Sequence, residues 1–121
     1  MYNLVFDFDR TLIKEDSLFS SFMNLKISLK IYIFFYLLIH GKVKLKKYLY
    51  DKNLMNFKLT LNKFLFNLLI DKKAIVASGA YENFIKDFVS NIIKENIEIF
   101  GTKKINLTGR NKMNFLVNKF G

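Results

Sequence analysis

Hydrophobic and polar positions along the chain change their period several times, and each change marks an element. Residues 3–6, Asn-Leu-Val-Phe, make a short apolar run rich in strand formers that stops at Asp7. This predicts a buried strand with acids at its carboxyl end. Asp16-Ser17 offers a helix cap, and Leu18, Phe19, Phe22, Met23 and Leu25 follow at helical spacing. Residues 27–39 are apolar nearly all round, interrupted by Ser28 and Lys30. His40-Gly41 closes that segment, since glycine commonly ends a helix. A lysine-rich amphipathic stretch follows, with Val43, Leu45, Tyr48 and Leu49 set against Lys42, Lys44, Lys46 and Lys47. Residues 57–70 read as a further helix, with Leu61, Phe64, Leu65, Leu68 and Leu69 on one side.

The second half has a different rhythm. Residues 73–77, Lys-Ala-Ile-Val-Ala, predict a second buried strand ending at Ser78-Gly79. A helix from about 81 to 94 carries Phe84, Ile85, Phe88, Val89, Ile92 and Ile93. Residues 97–100 alternate as a third strand and stop at Gly101, and 103–108 suit one more. Gly109 precedes a last helix with Met113, Leu116, Val117 and Phe120. Strands alternating with helices predict an α/β fold with a parallel sheet. In such sheets, ligands gather beyond the carboxyl ends of the strands, where Asp7, Asp9 and Ser78 fall.

Composition narrows the chemistry. The 121 residues contain no cysteine, which excludes disulfides and thiolate-bound zinc, and one histidine, His40, which excludes a histidine cluster. A net charge of +10 suits a polyanionic partner or an anionic membrane surface. The plainer account is a composition rich in Lys, Asn, Ile and Phe together. No recognised nucleic-acid motif accompanies the lysines, so no nucleic-acid partner is expected. The N-terminus lacks the basic and apolar regions of a signal peptide. The longest apolar run, Ile31 to Ile39, is about half of the ~20 residues a spanning helix requires. A cytoplasmic location is the expectation, with membrane association as its variant.

The sharpest feature is Asp7-x-Asp9-x-Thr11, two carboxylates converging just past a strand. Taken alone it reads equally as an acidic turn with local backbone bonds. Together with Ser78 after the second strand and Lys112 in Leu107-Thr-Gly-Arg-Asn-Lys112, it resembles the ordered motifs of the haloacid dehalogenase superfamily. The resemblance covers essentially the whole chain. Residues 15–56 fall where that superfamily inserts a helical cap, leaving 1–14 and 57–121 as a Rossmann-like core. Ala77-Ser78-Gly79, with Asn106-Leu-Thr-Gly-Arg-Asn-Lys112 and the closing Phe120-Gly121, is similar to phosphatase-like domains fused ahead of UbiA-type prenyltransferases.

The resemblance implies a Mg²⁺-dependent phosphohydrolase. Asp7 is the implied nucleophile, forming an aspartyl-phosphate, and Asp9 the implied acid and base. Ser78 and Lys112 would hold the phosphoryl oxygens, and Thr11 would brace the turn. Mg²⁺ would bind the Asp7 carboxylate and the Asp9 backbone carbonyl. The implied substrate is a phosphorylated small molecule or a lipid phosphate. The superfamily's fourth motif is an acidic pair after a further strand, and no acid follows Lys112. The acids Asp87, Glu95 and Glu98 precede it. The chain therefore reads as a truncated domain whose activity is in question. A different class of function uses the apolar and basic helices of 27–49 as a membrane-surface or partner-binding module.

Overall fold

A computed structural model describes residues 4–72, 74–93 and 97–121. Three strands form one parallel sheet in the order β1-β2-β3: β1 (Val5–Phe6), β2 (Ile75–Tyr81) and β3 (Ile99–Thr102). Five α-helices accompany them among the described residues: α1 (Ser17–Met23), α2 (Ile27–Asp51), α3 (Lys63–Asp71), α4 (Glu82–Ile92) and α5 (Gly109–Phe120). The α/β class and the parallel sheet agree with the sequence pattern. The expected strand at residue 3 and helix end at residue 94 lie partly outside the described residues, as do Lys73 and Glu95.

The central strand β2 is buried over nearly all its length, as expected of a strand covered on both faces. The main apolar cluster joins β2 to α3, α4 and the turn after β1. Phe8 is its keystone. It is fully buried and meets Phe84 and Phe88 edge-on, with ring centroids 6.0 and 5.4 Å away. Truncating such a ring costs about 3–5 kcal/mol. Phe8 stands between the two aspartates, so burying it fixes the backbone that carries both.

A second cluster is built by residues 18–55 around Ile33, Leu45 and Leu49. Gly41 (φ +84°) breaks α2 into two limbs. The Tyr32 and Tyr48 rings lie 6.0 Å apart, whereas sixteen residues of straight helix would span about 24 Å. The limbs therefore double back as a hairpin, with Tyr36 stacked on Tyr48 at 4.6 Å. Ile33 is buried in the first limb, while Ile27, Ile31, Phe34, Phe35, Leu38 and Ile39 are exposed.

Three expectations need correction. Helix α3 begins at Lys63 rather than 57, because the Asn62 side chain caps it by accepting from the Leu65 amide at 3.3 Å. The residues before it run extended, with Leu61 bridged to Ile13 and the Lys14 amide donating to Thr60 O at 2.9 Å. Residues 103–108 form a loop rather than a strand. Thr102 Oγ1 donates to Gly79 O at 2.7 Å and accepts from the Leu107 amide at 3.0 Å, so a side chain takes up backbone groups that a ladder would use. Finally, β2 does not end before Ser78 but runs through it to Tyr81, with a register shift against β3 between Ala77 and Tyr81.

Candidate functional site

The site begins where β1 ends. Asp7 follows Phe6 directly, and a tight turn over Phe8–Leu12 is closed by the Ile13 amide donating to Phe8 O at 3.1 Å. Asp9 stays extended and Arg10 takes a left-handed conformation (φ +57°), which turns the chain sharply after the second carboxylate. Asp7 Oδ1 accepts from the Phe8 amide at 2.7 Å. The half-buried Thr11 makes no side-chain hydrogen bond among the described residues. Main-chain bonds, including the Arg10 amide to Glu15 O at 3.0 Å, perform the bracing expected of it.

Asp9 is held by the start of α1. The Ser17 amide donates to Asp9 Oδ1 at 3.1 Å and the Ser17 hydroxyl to Oδ2 at 3.0 Å. Burial raises the carboxyl to about 6, with Asp16 and Asp7 adding to the rise and the Ser17 bonds opposing it. Asp9 therefore keeps a proton to a far higher pH than an exposed aspartate.

Asp7 and Asp9 open into a polar cleft of about 520 Å³ that also takes in Ser78 and Gly79 of β2. Ser78 is fully buried, and its hydroxyl accepts from the Ala80 amide at 3.2 Å. It donates to no group among the described residues. Lys112 reaches the same place from the first turn of α5, its ammonium 3.3 Å from Asp7 Oδ2. Asp7 and Asp9, after β1, and Ser78 of β2 thus line one cleft, and Lys112 of α5 joins them through Asp7.

Sequence reasoning missed several members. Lys46 counted there as part of a solvated lysine face. It is buried instead, and its ammonium donates to Gly79 O and to Asn106 Oδ1, each at 2.6 Å. Burial lowers its affinity for a proton, while Asp9 and Asp16 act against that loss. Helical phase held the signal: Lys46 lies three residues before Leu49 and beside Leu45, both buried. Lys42, one turn earlier, lines the cleft with Arg10 and Asp16. Gly79 packs so closely that a Cβ there would come within 2.2 Å of Thr108 Cγ2. An apolar cavity of about 260 Å³ inside the helical hairpin adjoins the cleft, the two sharing Asp16 and Leu18.

Among the described residues, no three acidic or histidine side chains cluster as a ready-made metal site. No protein-family model matches the chain, and neither the curated proteins nor the solved structures compared with it give a match.

Proposed function

We propose that the cleft is a phosphohydrolase site of haloacid dehalogenase type. One observation carries this reading: Asp7, paired with Lys112, sits beside a high-pKa Asp9 and opposite a buried Ser78 in one cleft. A raised Asp9 carboxyl beside a carboxylate that faces an ammonium suits Asp9 to donate a proton and Asp7 to attack.

In the first step, an Asp7 carboxylate oxygen attacks phosphorus and the bond to the leaving oxygen breaks. Asp9, protonated, gives its proton to that oxygen. In the second step Asp9, now ionised, takes a proton from water as the water attacks the aspartyl-phosphate. Inorganic phosphate departs, and Asp7 and the protonated Asp9 are restored. The Ser78 hydroxyl and the Lys112 ammonium hold the phosphoryl oxygens as they carry charge.

The donor set suits a Mg²⁺ shared with the substrate. Mg²⁺ keeps several waters and commonly takes one or two carboxylates plus phosphate oxygens. Here the Asp7 carboxylate and the Asp9 backbone carbonyl would hold it, and it would offset the repulsion between carboxylate and phosphate. For the substrate, the apolar cavity adjoining the cleft favours a phosphate ester with an apolar portion, such as a lipid phosphate, over a sugar phosphate.

The test is Mg²⁺-dependent hydrolysis of an aryl phosphate by the chain and by Asp7→Asn, with fluoride NMR of a beryllofluoride adduct on Asp7. Turnover and an adduct in the parent, both lost in Asp7→Asn, support the reading. Equal turnover in the two proteins, or neither turnover nor adduct in the parent, overturns it.

A further inference from the structure

The first limb of α2 exposes a stripe of large apolar side chains. Ile27, Ile31, Phe34, Phe35 and Leu38 recur at helical spacing, and each is more than half exposed. Ile39, at 74%, extends the stripe, and Phe19 and Met23 of α1 are also more than half exposed. Single apolar residues on a surface are ordinary, but a continuous stripe of this size marks an interaction surface.

Charge indicates the occupant. From Ser17 to Tyr50 the sequence holds six lysines and no acid. Lys26 and Lys30 stand at the start of the stripe, and Lys42, Lys44 and Lys47 follow its end. Lys46 alone of the six is buried. Two such faces brought together would set lysines against lysines, so a second copy of this chain is the wrong partner. An aromatic and aliphatic stripe flanked in sequence by lysines fits a bilayer interface, where the apolar side chains enter the acyl boundary and the ammonium groups meet anionic headgroups. No helix among the described residues is long and apolar enough to cross a membrane. The contact is therefore one of lying on the surface.

We infer that the helical hairpin of α2 docks this protein on anionic membrane surfaces through Ile31, Phe34, Phe35 and Leu38, with Lys44 and Lys47 supplying the attraction. The chemistry of the phosphohydrolase reading is not involved, since docking uses neither Asp7 nor Asp9, and of the four docking side chains Phe34 alone also lines the apolar cavity beside the cleft.

The experiment is flotation of the full chain with vesicles of phosphatidylcholine alone and of equal phosphatidylcholine and phosphatidylglycerol. Binding to the anionic vesicles is expected, weaker by at least about tenfold on neutral ones and weakened by added salt. Phe35→Ser with Leu38→Ser should abolish it, and Lys44→Gln with Lys47→Gln should reduce it by about tenfold. Phe64→Ser, at a still more exposed site on α3, should bind as the parent does. These side chains lie on the surface, so circular dichroism should show all the variants folded. No flotation of the parent, equal binding to both vesicles, or undiminished binding by the Phe35 and Leu38 variant overturns the inference. So does a dimer seen without vesicles that the same variant disperses, which would give the face to a second copy.

Discussion

Ser17 holds both oxygens of Asp9, one through its backbone amide at 3.1 Å and the other through its hydroxyl at 3.0 Å. The clasp ties the first residue of α1 to the turn after β1. It also opposes the burial that drives the Asp9 carboxyl up to about 6. Ser17→Ala removes one of these bonds and should move Asp9 higher still, because a hydrogen bond to the ionised form is lost. Carboxyl-carbon NMR across a pH titration would read the shift, and an unchanged midpoint would refute it.

The same carboxyl makes stability depend on pH. Its folded value lies above the ordinary 3.8, so between about pH 4 and pH 6 the folded state binds more protons than the unfolded. Stability should fall by about 2–3 kcal/mol as pH rises through that window and then level off. Asp9→Asn should flatten this part of the curve, measured by urea unfolding at each pH. Hydrolysis by the proposed mechanism should likewise decline above about pH 6, as the protonated acid is depleted.

Lys46 fastens the hairpin to the core. Lys46→Met keeps the stem and leaves Gly79 O and Asn106 Oδ1 without this donor. A loss of about 1–3 kcal/mol is expected, while Lys47→Met, on the exposed side, should stay within about 0.5 kcal/mol. Chemical denaturation of the pair would separate a tether from a bystander.

Gly101 admits no side chain. A Cβ there would lie 2.6 Å from Glu82 Cα and 2.8 Å from Ala80 O, both backbone atoms that cannot rotate away. Gly101→Ala should destabilise by about 1–3 kcal/mol or more, and should also disturb the Gly101 amide bond to Glu82 Oε1. At Gly79 the obstructing atom is the Thr108 methyl, so Gly79→Ala combined with Thr108→Ser should recover part of its loss.

Arg10 shows the opposite situation. Its left-handed backbone (φ +57°) is one that side chains resist and glycine accepts. Arg10→Gly should therefore be neutral or stabilising by up to about 1 kcal/mol, although glycine also enlarges the unfolded ensemble. A lower thermal midpoint would contradict this.

The alternation of strand and helix was legible because each strand is a short apolar run and each helix carries a periodic stripe. The turn that carries Asp7-x-Asp9-x-Thr11 was legible because the acids coincide with the end of an apolar run within a few residues. Other parts were hidden for physical reasons. Asn62 caps α3 within what looks like a continuing helical pattern, so periodicity alone extends the helix six residues too far toward the N-terminus. Ile105 and Leu107 give 103–108 the look of a strand, but the Thr102 side chain binds there what a neighbouring strand would have bound. At Lys46 charge suggests solvent, whereas its phase on the helix points inward. Ser17's grip on Asp9 depends on how the chain leaves the turn, which no local pattern encodes.

The register of the sheet has a kinetic consequence. Val5 pairs with Ile75 and Phe6 with Val76, so the ladder that brings Asp7 beside Ser78 closes a loop of about 70 residues. The hairpin of α2 and the run from β2 through α4 to β3 rely on much shorter separations. Chain entropy is surrendered before distant contacts form, so local pieces gain order early and the β1–β2 seam late. During folding, the two carboxylates would stay apart from Ser78 until that closure, which makes assembly of the cleft a reporter of the late step.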